Sequence, residues 1–74
     1  MPLAQIKVVE GVFDEEQKRR IIRGVTDAIA AVEAEPLREK TYVLLEEVPS
    51  GCWGIGGEAV TTQAVRGMFG QEAV

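Results

Sequence analysis

The chain reads as a small α+β domain built on one strand–helix–strand unit, followed by a tight hairpin or turn and a short helix. Three observations predict this. Apolar and polar residues alternate over positions 3 to 9, apolar residues recur three and four apart over the next twenty-odd positions, and a second apolar run of strand length follows a proline. A strand, a long helix and a second strand in that order form a βαβ unit, whose right-handed crossover makes the two strands parallel.

The first strand, Leu-Ala-Gln-Ile-Lys-Val-Val at 3 to 9, has one face to bury and ends near Glu10-Gly11. Asp14 with Gln17 three residues later resembles a capping box, which starts a helix running from about 15 to 33. Ile21, Ile22, Val25, Ala28, Ile29 and Val32 give that helix a single apolar stripe. Lys18, Arg19, Arg20 and Arg23 lie on its solvated side, where Glu15 and Glu16 are spaced to pair with Arg19 and Arg20. Pro36 stops the helix, and Thr41 to Val48 supplies the second strand. The glycine-rich stretch from Ser50 to Gly57 suits tight turns or a small hairpin, and its spacing matches neither GxGxxG nor a Walker loop. Val60, Ala64, Val65, Met68 and Phe69 recur at helical spacing, so the tail forms a short amphipathic helix suited to packing on a neighbouring subunit.

At 74 residues this is one domain, 1–74, with a core in residues 2–60 and an extension over 61–74. Such a chain is below the size at which one core gives comfortable stability without disulfides, metal or oligomerisation. The single cysteine excludes an internal disulfide, and the absence of histidine removes the commonest zinc ligand and the usual acid/base residue. No metal is expected. A net charge of −4 argues against nucleic-acid binding. No apolar run approaches the ~20 residues of a membrane span, and the start lacks the pattern of a secretory signal, so a cytoplasmic protein is expected. One helix covers one face of a two-stranded sheet, and the other face and the edges need another subunit.

The residue with the most chemistry is Pro2. Once Met1 is removed, its nitrogen is a secondary amine. An α-amino group has a pKa of roughly 8, and an apolar pocket lowers that value because desolvation penalises the charged form. The amine then serves as a general base near neutral pH. Proline is also an ordinary residue at the start of an edge strand. Cys52 has no histidine or adjacent base to activate it and reads as structural. Glu46 and Glu47 point to opposite faces of a strand, which argues against a carboxylate dyad.

Taken together, Pro-Leu-Ala-Gln-Ile at 2 to 6, Glu10-Gly11, Glu16-Gln17-Lys18, Val25 to Ile29, Pro36-Leu37, Glu47-Val48 and Trp53-Gly54-Ile55-Gly56-Gly57 resemble the 4-oxalocrotonate tautomerase family. The resemblance implies βαβ subunits that pair into dimers and assemble as a hexamer. It implies that Pro2 acts as catalytic base on a small enol or unsaturated keto acid, with no cofactor. Trp53 falls where the family places an aromatic residue that walls the pocket, or it seals a subunit interface. Glu47 matches a family glutamate and is expected in an interface ion pair.

The chain departs from the family at both substrate-binding arginines. Val12 and Phe13 follow the Glu-Gly pair, with one extra residue before the helix, and Tyr42 aligns with the second arginine. Arg38 is the nearest replacement for carboxylate binding, Lys7 and Lys40 offer charge without the guanidinium fork, and Thr41 and Tyr42 offer hydrogen bonds to a less charged substrate. Three explanations follow from the loss. The chain is one of two unlike subunits of a heterohexamer whose partner supplies arginine, a homohexamer acting on a less acidic substrate, or a structural or regulatory subunit that has lost the reaction.

Overall fold

The structure is a computed structural model and describes residues 2–68; Met1 and the tail from 69 onward, including Phe69 of the proposed tail helix, lie outside the described residues. Strand β1 (Leu3–Val9), helix α1 (Glu15–Glu33) and strand β2 (Tyr42–Val48) form the βαβ unit. The strands pair in parallel in unbroken register from Leu3 opposite Tyr42 to Val9 opposite Val48. Trp53–Ile55 (β3) and Glu58–Val60 (β4) form an antiparallel hairpin, and Thr62–Met68 forms helix α2. The hairpin turn is Gly56-Gly57 with φ of 58° and 89°, the two consecutive positive values that a two-residue turn requires and that glycine reaches without steric cost.

Each face of the parallel sheet has its own chemistry. Glu47 on β2 pairs with Lys18 on α1, so residues in step with Glu47 look toward the helix. Val43 and Leu45 are in that set, with their register partners Ala4 and Ile6 on β1, and all four are half-buried. The opposite set has no cover: Leu3 is 56 % exposed, Tyr42 51 % and Leu44 45 %. Lys7 and Glu46 form an ion pair of 2.7 Å on this open face, which confirms that Glu46 and Glu47 point apart.

Helix α1 begins as its sequence dictates. The Asp14 carboxylate accepts from the Gln17 backbone N–H at 2.8 Å, and the Gln17 side chain accepts from the Asp14 N–H at 2.9 Å, closing both bonds of the capping box. Three details differ from expectation. The apolar stripe divides, with Ile21, Val25 and Ile29 half-buried while Ile22, Ala28 and Val32 are exposed, because a two-stranded sheet is too narrow to cover all six. Lys18, not Arg19 or Arg20, makes the local pair with Glu15, at 3.1 Å. Residues Glu35–Lys40 form a 3-10 turn with Pro36 at its start, and β2 begins at Tyr42 because Thr41 closes that turn, its N–H donating to the Arg38 carbonyl at 3.1 Å.

Among the described residues only four apolar side chains reach deep burial: Val9, Val12, Ala30 and Val60. Three of these lie where the end of β1, the following loop and the hairpin meet, so the tightest packing is at that end of the molecule. The radius of gyration is 14.8 Å, against about 11 Å for a compact domain of this length. Among the described residues no helix is long and apolar enough to cross a membrane.

Candidate active site

The candidate residues gather at the two opposite ends of the parallel sheet. Pro2 enters β1 at one end, half-buried, with its carbonyl accepting from the Tyr42 N–H at 3.0 Å. That bond extends the β1–β2 ladder by one step and places Tyr42 beside the first residue of the chain that carries chemistry. Leu3 and Tyr42 lie on the uncovered face, and Val32 (88 % exposed) and Leu37 (45 % exposed) lie in the last turn of α1 and the 3-10 turn.

Arg38 sits in the 3-10 turn but is already engaged. Its Nε donates to Glu35 at 2.7 Å and its Nη1 to Asp27 at 2.6 Å. Glu35 first and Asp27 second hold the guanidinium even more firmly in its charged form, and Arg38 in turn holds Glu35 below the usual carboxylate range. An incoming carboxylate would have to compete with both. Lys7 is likewise paired, with Glu46.

Trp53 lies at the other end. It lines an apolar cavity of about 320 Å³ whose floor is Val8 and Val9 from β1 and Val12 and Phe13 from the loop. Ile55 of the hairpin and Val65 and Met68 of α2 complete it. Val12, at the position where the sequence departs from the family arginine, is 6 % exposed and packs into this cavity. Six residues of extended chain separate Pro2 from Val8, a distance of about 20 Å. Within one subunit Pro2 and Trp53 therefore cannot touch the same small molecule.

The loop between β1 and α1 is held from both sides, which sequence reasoning did not foresee. On one side the Gly11 N–H donates to Glu47 at 3.3 Å, and Lys18 bonds the same carboxylate at 3.2 Å. These two contacts, the backbone bond first, hold Glu47 below the usual carboxylate range, while Glu15 and then Glu47 raise Lys18. Glu47 thus has an ion-pair partner inside its own chain, where an interface pair was expected. On the other side α2 reaches back: Thr62 Oγ1 donates to the Glu10 carbonyl, and Arg66 Nη1 donates to the Gly11 carbonyl at 3.0 Å. Arg66 also lines an open polar hollow with Ser50, Thr61, Thr62 and Gln63. The one legible signal for this clamp was Gly11, whose φ of +83° brings its backbone against Thr62. Cys52 is a free, exposed thiol. Among the described residues no three His, Cys, Asp or Glu side chains are grouped to hold a metal ion.

The sequence and the fold have counterparts in known proteins. The family model described as "Tautomerase enzyme" matches residues 2–63. A 2-hydroxymuconate tautomerase from Pseudomonas sp. (strain CF600) is 47 % identical over 58 residues, covering 78 % of this chain and 89 % of that protein. A probable tautomerase from Halalkalibacterium halodurans is 39 % identical over 64 residues, covering 85 % of this chain and all of its own. Among solved structures, a 4-oxalocrotonate tautomerase isozyme from Methylibium petroleiphilum superposes with a TM-score of 0.70 at 41 % identity, covering 86 % of this chain and 97 % of that one. DmpI from Helicobacter pylori gives 0.69 at 36 % identity, covering 80 % and 95 %.

Proposed function

Since the chain belongs to the 4-oxalocrotonate tautomerase family, a family of enzymes, we propose that it is a cofactor-independent isomerase in which Pro2, freed of Met1, is the base that moves a proton within an enol or unsaturated keto acid. The secondary amine takes the enol hydroxyl proton and returns a proton to carbon along the conjugated system, so the reaction needs no other reagent. Desolvation sets the amine for this work, because an apolar enclosure lowers its pKa toward neutrality.

The observation that carries the reading is the exposed apolar rim beside Pro2, formed by its strand neighbours Leu3 and Tyr42. One subunit leaves that rim open to water, and a second subunit seated on it makes the enclosure. The Trp53 cavity, about 20 Å away along its own strand, then serves the proline of a neighbouring subunit. Each complete site is shared between chains, and the assembly is a hexamer of like subunits or of this chain with a paralogous one. Tyr42 stands next to Pro2 and supplies a hydrogen bond to substrate. Arg38 keeps its two carboxylate partners and shapes the turn that precedes Tyr42. The paralogous arrangement is favoured by one observation: among the described residues no guanidinium lines the Trp53 cavity.

The test is ketonisation of 2-hydroxymuconate and of phenylenolpyruvate by protein whose intact mass lacks methionine. A rate above buffer is expected for at least one of them, and Pro2→Ala is expected to remove at least ~99 % of it, within the range over which a positioned base accelerates proton transfer. Retained activity in Pro2→Ala, or in protein that keeps Met1 and so has a tertiary amide at position 2, would refute the proline mechanism.

A further inference from the structure

Two of the chain's arginines are half-buried, Arg38 and Arg66, while Arg19, Arg20 and Arg23 are exposed. Arg38 shows how a guanidinium in that position is satisfied. Its Nε and Nη2 grip the two oxygens of Glu35 at 2.7 and 3.3 Å, and its Nη1 bonds Asp27 at 2.6 Å. Arg66 repeats half of this pattern. Its Nη1 donates to a neutral acceptor, the Gly11 carbonyl, at 3.0 Å, and among the described residues no acceptor meets its Nε–Nη2 edge and no carboxylate pairs with it. That edge presents two parallel N–H groups, the geometry that suits both oxygens of one carboxylate. Withdrawing a cation from water without a counter-charge is costly, so the unfilled edge points to an anion.

The hollow that Arg66 lines is suited to one. Ser50, Thr61, Thr62 and Gln63 complete it, its volume is about 630 Å³, and among the described residues no Asp or Glu lines it. Hydrogen bonds already made leave it rich in donors. Ser50 Oγ accepts from the Thr62 N–H at 3.0 Å, and Thr61 Oγ1 accepts from the Ala64 N–H at 3.1 Å. A hydroxyl that accepts keeps its own proton to give. Gln63 is exposed and adds an amide NH2. Because the Thr62 and Ala64 N–H groups are spent on those hydroxyls, side chains and not the helix end form the site. The hollow shares no lining residue with the Trp53 cavity, and Arg66 lies beyond residue 63, where the family match ends.

We propose that this hollow is a carboxylate-binding site for a small organic acid, with the Nε–Nη2 edge of Arg66 gripping both oxygens and Ser50, Thr61 and Gln63 donating around them. The site stands without the tautomerase reading. Its carboxylate has two sources, the substrate of that reaction or a separate acid, and kinetics tells them apart.

Succinate is the probe, titrated calorimetrically into the untagged protein at fixed ionic strength with sodium chloride as control. Saturable binding is expected that chloride does not reproduce. Arg66→Gln is expected to weaken it at least tenfold, roughly the scale of a hydrogen bond to a charged group. Arg66→Lys should recover only part of the loss, since an ammonium lacks the fork. Arg66 also holds the loop at Gly11, so Gln63→Leu is the second variant: its side chain is exposed, and removing one neutral donor is expected to weaken succinate about two- to tenfold. Absence of saturable binding in the wild type, or wild-type affinity in both Arg66→Gln and Gln63→Leu, would overturn the proposal. Pro2→Ala should bind succinate as the wild type does, whatever happens to turnover. Succinate competing with 2-hydroxymuconate, and ceasing to compete in Arg66→Gln, would assign the site to the substrate; succinate bound without effect on KM would assign it to a separate acid. Succinate binding in a protein without turnover would count against the tautomerase reading alone.

Discussion

At the scale of single residues the account depends on which side chains are free and which are committed. Glu47 is committed twice, to the Gly11 N–H and to Lys18, and the sign of its contribution to stability follows. Folding lowers its pKa, chiefly through the Gly11 N–H and then through Lys18. Its stabilisation is therefore complete above the unfolded carboxylate value of about 4.3 and is lost as pH falls through the folded value. The raised Lys18 keeps its share below its unfolded value and loses it only in strong alkali. A melting-temperature gap between wild type and Glu47→Gln is thus expected at pH 7 and should narrow as the pH falls below the unfolded carboxylate value of about 4.3. A gap that did not narrow at all as the pH falls below the unfolded carboxylate value would mean that packing, not charge, carries the residue. Much at this scale was legible in the sequence, including the Asp14–Gln17 box and the opposed directions of Glu46 and Glu47. The partner of Glu47 was not, because a pairing between positions 18 and 47 depends on where the crossover lays the helix on the sheet.

At the scale of elements, the strands and α1 follow from period and punctuation. Positions 3 to 9 alternate, the capping box sets the start of α1 at Glu15, and the helix closes at Glu33 before Pro36. The 3-10 turn escaped notice because Glu-Pro-Leu-Arg-Glu-Lys is too short to show a period. The role of α2 escaped for a different reason: seven residues carry little pattern, and its contacts with Glu10 and Gly11 span more than fifty positions. The clamp makes a definite prediction. A side chain at Gly11 would require φ of +83° and would place its Cβ 3.1 Å from Thr62 Cγ2. Gly11→Ala is expected to cost about 1–2 kcal/mol in urea unfolding and to lower activity by displacing Val12 and Phe13 from the Trp53 cavity. Unchanged stability would show that the loop shifts freely and that α2 does not hold it.

At the scale of the whole molecule, the described residues leave Leu3, Val32, Tyr42, Leu44 and Ile55 among the exposed apolar side chains. Among the described residues four apolar side chains are deeply buried, the sheet face bearing Leu3, Tyr42 and Leu44 is uncovered, and the radius of gyration is 14.8 Å, the features on which the proposal of an assembly rests. The expectation of a partner came from the element count alone. That the candidate site divides between the two ends of the sheet was not, since neighbours in a family motif need not be neighbours in one subunit. The measurement that tests the shared site most directly is subunit mixing. Pro2→Ala and Trp53→Ala are each expected to lose most activity alone. Refolded together in equal amounts, they should regain activity at about a quarter of the sites, those where an intact proline from one chain meets an intact tryptophan from another. A mixture no more active than its components, with mixed oligomers verified by native mass spectrometry, would contradict a site built between subunits.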